Sequence, residues 1–157
     1  MIMRHMSIRQ AKIGDLQRIM ALTRRAYRIP YRKSAFVIGS HEPNDIVGDF
    51  RRKGFFAFVA VVGDKIVGAV RYKKSGNALY LYKLAVLKTF RNRGVGSALV
   101  KKVEEAAKRA GCGKVLLDCA REKKLPGYYK RMGYETDGIK KHLDHHDVFM
   151  SKRIGGR

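Results

Sequence analysis

Leu84-Ala85-Val86-Leu87-Lys88-Thr89-Phe90-Arg91-Asn92-Arg93-Gly94-Val95-Gly96-Ser97 is the stretch on which the reading of this chain turns. It runs from an apolar, strand-like segment through a basic lead-in and two glycines into the strongest helical pattern present. Val95, Ala98, Leu99, Val103, Ala106 and Ala107 recur at helical spacing and predict one buried face. Lys101, Glu104, Glu105, Lys108 and Arg109 fall on the other face, where Glu104–Lys108 and Glu105–Arg109 form i,i+4 pairs. Gly111 closes the helix. A loop between a strand and a helix N-terminus leaves backbone N–H groups unused and carries a partial positive charge. Gly94 and Gly96 let an oxyanion approach the backbone, and Arg91 and Arg93 add charge. The arrangement suits a pyrophosphate.

Working outward, the rest of the chain alternates in the same manner. Ser7–Arg9 reads as a first strand, and Asp15 as the N-cap of a helix carrying Leu16, Ile19, Met20, Thr23, Ala26 and Tyr27. Pro30 ends or kinks that helix, residues 31–43 read as irregular, and Asn44 caps a short second helix ending near Gly54. Phe55–Val62 and Lys65–Tyr72 flank Gly63-Asp64, a hairpin signal. Ala78–Val86 follows a Ser75-Gly76-Asn77 turn. Beyond the long helix come a buried strand at Lys114–Cys119, a short helix over 124–132, and strands at Tyr134–Thr136 and His146–Ser151. The order β-α-α-β-β-β-α-β-α-β-β predicts one α/β (α+β) domain over residues 1–157, with its core at about 6–152. Only the strands flanking the long helix need a parallel crossover, so the sheet is mixed.

Composition narrows the classes. A length of 157 residues, 45% of them hydrophobic, fits a single domain with its own core. No apolar run approaches the ~18 residues that span a bilayer, and Met1–Met6 is too short and polar for a signal peptide, so a cytoplasmic protein is expected. Three methionines in the first six residues leave the natural start open. Cys112, between two glycines, reads as a turn residue and Cys119 as a strand residue; two cysteines do not make a disulfide scaffold. The net charge of +22, from 35 Lys and Arg against 13 Asp and Glu, favours anionic partners such as nucleic acid, ribosomes or a polyphosphorylated ligand. A basic coat over a soluble surface explains it equally. Arg24, Arg25, Tyr27, Arg28, Tyr31, Arg32 and Lys33 mix base and aromatic, either as a solvated helix face or as a contact for RNA.

Two anion-binding motifs fail on the loop itself. A P-loop needs Gly-x-x-x-x-Gly-Lys-Ser/Thr, which is absent. A dinucleotide loop needs a third small residue where Leu99 stands and a tight turn straight after the strand, where Lys88–Arg93 intervenes.

The segment Leu84-Ala85-Val86-x-x-x-x-Arg91-x-x-Gly94-x-Gly96 resembles the acetyl-CoA signature of the GNAT superfamily of N-acetyltransferases, Arg/Gln-x-x-Gly-x-Gly/Ala after a Leu-Ala-Val strand. Tyr128-Tyr129-Lys130-Arg131-Met132-Gly133-Tyr134-Glu135 resembles that family's Phe/Leu-Tyr-x-x-x-Gly-Phe/Tyr segment, and His146–Lys152 its last strand. The likeness covers nearly all of residues 6–152, with specific motifs in about 84–135. It implies the GNAT fold, a mixed and mostly antiparallel sheet of about seven strands flanked by about four helices.

It also implies acetyl transfer from acetyl-CoA, as cosubstrate, to a primary amine. The cosubstrate would be held by Leu84, Ala85, Val86, Arg91, Asn92, Arg93, Gly94, Val95, Gly96 and Ser97. Backbone N–H groups near Leu84 and Val86 would polarise the thioester, because this strand splays from its neighbour at a bulge in the family. Tyr129 aligns with the family's general acid; a phenol with an ordinary pKa of about 10 stays protonated at neutral pH. Tyr128 reads as packing. Many members carry Asn seven residues before the tyrosine, where this chain has Glu122.

Tyr80, Tyr82, Asp118, His145, His146 and Asp147 remain open as the base, beside a water chain. His142, His145, His146 and Asp147 suggest a metal cluster. However, His145 and His146 are adjacent and point to opposite faces of a strand, so a solvated turn and no metal are expected. The acceptor implied is a small molecule, or a protein or peptide held near an anionic assembly such as the ribosome. A monomer or homodimer without membrane contact is expected. Two other classes stay in play: a basic nucleic-acid-binding module without catalysis, and a CoA-sensing domain.

Overall fold

The computed structural model describes residues 5–27 and 45–155, with only the backbone of Lys53 among them. The strands are β1 (Met6–Gln10), β2 (Phe56–Val62), β3 (Lys65–Ser75), β4 (Ala78–Val86), β5 (Lys114–Ala120), β6 (Glu135–Lys141) and β7 (His146–Arg153). The helices are α1 (Leu16–Ala26), α2 (Ile46–Lys53), α3 (Val95–Arg109) and α4 (Leu125–Arg131). The strands form one sheet in the order β1-β2-β3-β4-β5-β7-β6. Every pairing is antiparallel except β4 with β5, the two strands that α3 connects. The expected mixed sheet, with its single crossover, is what the chain builds.

The two faces of the sheet are filled by different helices. On β3, Arg71 reaches Thr23 Oγ1 of α1 at 3.4 Å, whereas Gly68 backs onto Val95 and Leu99 of α3. Positions 68 and 71 are an odd number apart, so their side chains point to opposite faces. Val95, Leu99, Val100, Val103 and Ala107 of α3 are buried, together with Val59, Val67, Val70, Leu81 and Val115 of the sheet. The helix seals one face as its periodicity required.

Local corrections are informative. Asp15 does not cap α1 through its side chain. It closes the short turn before the helix: its carboxylate accepts from Lys12 N–H at 2.8 Å, and from Arg9 at 2.7 and 3.1 Å and Arg18 at 3.0 Å. The second helix is capped by Asp45, whose side chain accepts from Gly48 N–H at 2.8 Å. Pro30, residues 31–43, Asn44 and the basic residues Arg28, Arg32 and Lys33 with Tyr31 lie outside the described residues. Glu104 turns away from Lys108 and accepts from Tyr134 Oη and Lys152 Nζ, both at 3.0 Å. Glu105 pairs with Lys102 at 3.3 Å. β6 extends to Lys141, five residues past the expected end, because β7 pairs with it along its length. Its exposed, charged side chains hide the alternation that marks a strand.

Asp15 ties β1 to α1 while being almost fully buried. The Arg9 hydrogen bonds, above all, hold its carboxyl below the ordinary range. A carboxyl with a depressed folded-state pKa stabilises fully above the unfolded value of about 3.9, and the effect fades as pH falls through the folded value. Asp15→Asn is expected to cost about 2 kcal/mol at pH 7, because hydrogen bonds to charged groups are lost. Urea denaturation of both proteins at pH 7 and at pH 3 checks this; the gap between them should narrow in acid.

Candidate active site

β4 and β5 pair only over Ala78–Tyr80 and Lys114–Leu116. Beyond that point they separate. The cause lies on the other edge of β4, where Ala69 faces Ala85 but Arg71 faces Tyr82. Lys83 and Leu84 therefore stand opposite the single residue Val70, a β-bulge with Lys83 at φ 50°. The bulge bends β4 away from β5 and opens the sheet between them. Leu87 N–H donates to the Val67 carbonyl of β3 at 2.9 Å. Successive N–H groups of an extended strand point to opposite edges, so Val86 N–H faces the gap.

Two cavities occupy this gap. The larger, about 500 Å³, is lined by Leu84, Ala85 and Val86 of β4, by Arg91, Asn92 and the Gly94–Ser97 turn, and by Tyr128 of α4. The smaller, about 240 Å³, is lined by Tyr80, Tyr82 and Lys83 of β4 and by Asp118 and Cys119 of β5. Tyr27, Leu84, Lys123, Leu125 and Tyr129 line both. They stand where the two spaces meet.

The glycine loop takes the form its sequence demanded. Gly94 adopts φ 81°, a left-handed conformation, immediately before α3. Gly96 lets Tyr128 approach closely: a Cβ there would stand 2.5 Å from Tyr128 Oη, which would have to shift. Tyr128 Oη lies 3.5 Å from Ser97 Oγ, so the α4 tyrosine closes over the first turn of α3. Tyr128, expected to be mere packing, is thus part of the cavity wall. The Arg91 guanidinium bonds the Val86 carbonyl at 3.1 Å and the Ala26 carbonyl at 3.0 Å, tying the end of β4 to the end of α1. Arg93 lies over the Phe90 ring, 5.8 Å from its centre. Of the ten residues expected to hold the cosubstrate, Arg93 alone is missing from the cavity lining.

Tyr129 is buried and packs edge-on to Tyr128 and Tyr134. Burial, then the neighbouring Tyr27 and Tyr128, push its phenol well above the ordinary value of 10.0. Tyr27 Oη donates to the Leu84 carbonyl at 2.6 Å, fixing the bulged strand from the α1 side. Lys123 lies over the Tyr27 ring at 5.4 Å, and burial lowers its pKa. On the smaller cavity, Tyr80 Oη donates to the Asp118 carboxylate in a very short contact. Burial and that bond raise the Tyr80 pKa. Burial also pushes the Cys119 thiol up to about 12, so this thiol is no nucleophile at neutral pH.

Other expected residues are placed elsewhere. Glu122 turns to β7, where its carboxylate accepts from His146 N–H at 3.0 Å and meets His146 Nδ1 at 2.6 Å. Those bonds pull its pKa down to about 2. His145 and His146 do point apart, but His142 folds back over His145, their rings stacked at 4.4 Å. Lys123 and Leu125 were missed in the sequence, where a lysine just before a short helix and a leucine at its start give no signal. Only the fold carries them to the mouth of the gap.

The comparisons with known proteins agree with this geometry. Residues 16–134 match the family model described as Acetyltransferase (GNAT) family. An uncharacterized N-acetyltransferase of Bacillus subtilis, YjcF, is 35% identical over 82 residues, which make up 52% of this chain and 57% of that protein. A probable glucosamine 6-phosphate N-acetyltransferase of Oryza sativa is 45% identical over 49 residues, 31% of this chain and 28% of its own length. The matched stretch thus spans little more than half of one relative and less than a third of the other. In fold, the chain is similar to a PaiA N-acetyltransferase of Thermoplasma acidophilum solved with coenzyme A. The TM-score is 0.77 at 17% identity, covering 94% of this chain and 98% of that one. Sheet order, bulged strand, glycine turn and family match converge: the chain belongs to the GNAT acetyltransferase family.

Proposed function

We propose that the protein transfers the acetyl group of acetyl-CoA to a primary amine within the gap between β4 and β5. The observation that carries this reading is the coincidence of three features on one cavity. These are the parted strands, the Gly94–Ser97 turn at the start of α3, and buried Tyr129 at the junction with a second cavity. The larger cavity takes acetyl-CoA. The N–H groups of the first turn of α3 meet the pyrophosphate, and Val86 N–H is directed at the pantetheine arm and thioester. Arg91 also braces the site, since two of its five guanidinium donors go to backbone carbonyls.

The smaller cavity takes the amine. The Asp118 carboxylate attracts an ammonium and accepts its proton, while Tyr80, with its raised pKa, orients that carboxylate. The neutral amine nitrogen attacks the thioester carbon, and backbone N–H groups support the charge on oxygen. The carbon–sulfur bond then breaks, Tyr129 donates its proton to the departing sulfur, and the proton shed by the new amide nitrogen restores the phenol. A phenol raised by burial holds its proton at neutral pH, so it is available as a donor and not as a base. The amine held by Asp118 is drawn from small molecules or from peptides. The net charge of +22 supports an acceptor displayed on an anionic assembly.

An amine panel of metabolites, polyamines and peptides, read by thiol release from acetyl-CoA, tests the reading. No release with any acceptor, and no binding of acetyl-CoA, would overturn it. Tyr129→Phe is expected to lower kcat about 100-fold while acetyl-CoA still binds. Gly96→Ala should raise KM for acetyl-CoA about tenfold, the equivalent of about 1.4 kcal/mol, because Tyr128 must leave the mouth of the loop. Asp118→Asn should raise KM for the amine and lower kcat, leaving KM for acetyl-CoA within about twofold of the parent. Steady-state kinetics with each substrate varied in turn separates these three patterns.

A further inference from the structure

The turn between β6 and β7 gathers a second set of chemical groups, none of which lines either cavity. His142 Nε2 stands 3.0 Å from one oxygen of Asp147, and His145 Nε2 stands 3.3 Å from the other. One ligand atom from each of the three lies within 4.8 Å of the other two. The backbone arranges this. His142 N–H donates to the His145 carbonyl at 2.8 Å, closing the turn and setting the rings face to face. Asp147 is held on β7 opposite Ala120 of β5.

Hydrogen bonding fixes how the His145 ring is turned. Asp144 Oδ1 meets His145 Nδ1 at 2.6 Å. A carboxylate only accepts, so Nδ1 carries a proton. In a neutral imidazole the lone pair then sits on Nε2, which faces an oxygen of Asp147. Nε2 is turned inward, 3.3 Å from that oxygen. A histidine that donates one nitrogen to a carboxylate and aims the other inward has the orientation found in metal-binding histidines.

We propose that His142 Nε2, His145 Nε2 and an Asp147 carboxylate oxygen bind a divalent transition metal, with Zn²⁺ the best match, and that Asp144 orients His145. Two nitrogens and one oxygen suit Zn²⁺ or Co²⁺ and disfavour Ca²⁺ and Mg²⁺, which take oxygen ligands. Bonds of 2.0–2.2 Å in a tetrahedron put ligand atoms about 3.3 Å apart. The 3.0 Å between His142 Nε2 and its Asp147 oxygen is within a few tenths of that distance already. The stacked imidazoles must tilt so that both lone pairs converge, and solvent completes the shell. A bound ion clamps the β6–β7 hairpin at the strand that borders β5.

The test uses the full, untagged chain freed of metal. Calorimetric titration with Zn²⁺ should give one ion per chain, and Co²⁺ should give the intense visible band of tetrahedral coordination. Zn²⁺ should also raise the thermal midpoint by mass action. The double variant His142→Ala/Asp147→Asn should lose the site, and Asp144→Asn should weaken it about 10- to 100-fold. His146→Ala, whose ring is turned to Glu122, should leave binding unchanged. Circular dichroism confirms that each variant is folded. Two results overturn the proposal: binding that survives in the double variant, or a parent protein that binds no Zn²⁺.

Discussion

One residue too many on β4 sets the geometry of this molecule. Lys83 and Leu84 face a single partner on β3, and the strand that carries them leaves β5 as a result. A parallel pair in continuous register would use both edges of β4 for ladder hydrogen bonds. The bulge frees one edge instead, and Val86 N–H becomes available to something other than protein. Breaking a ladder in a sheet interior leaves polar groups that must find partners. Tyr27 Oη on the Leu84 carbonyl and the Arg91 guanidinium on the Val86 carbonyl supply some of them. Both come from outside the sheet, and together they hold the opened strand in shape.

The same opening explains why the functional groups gather where they do. α3 begins just where β4 has swung clear, so its first turn points into the space. α4 lies across the far side and lends two adjacent tyrosines with different duties. Tyr128 covers the loop near Gly96, and Tyr129 is buried at the meeting point of the two cavities. The smaller cavity carries one carboxylate, Asp118, beside Lys83 and Lys123 in a chain that is strongly basic overall.

Much of this was legible in the sequence because it is local. The α3 periodicity, the Gly63-Asp64 hairpin, the Ala78–Val86 strand and the Arg91–Ser97 loop each depend on neighbours in the chain, and each appears where expected. What was not legible depends on pairs distant in sequence. Glu104 finds Tyr134 and Lys152 rather than Lys108, and Tyr128 meets Gly96. Lys123 reaches the gap only because a single helical turn at Arg121–Lys123 carries it there. Asp15 misled for another reason: an acid before a helix can serve the turn that precedes it, and two arginines drew it that way. The histidines were judged by adjacency, which separates His145 from His146 correctly. The return of His142 across a tight turn has no counterpart in strand alternation.

The central claim is that the opened edge of β4 and the first turn of α3 hold the cosubstrate through backbone N–H groups. Amide hydrogen exchange with and without acetyl-CoA addresses it residue by residue. The account predicts slowed exchange at Val86 and across Gly94–Ser97, with little change on β1 or β6. Unchanged exchange at those amides in protein saturated with acetyl-CoA, or protection confined to another part of the sheet, would contradict it.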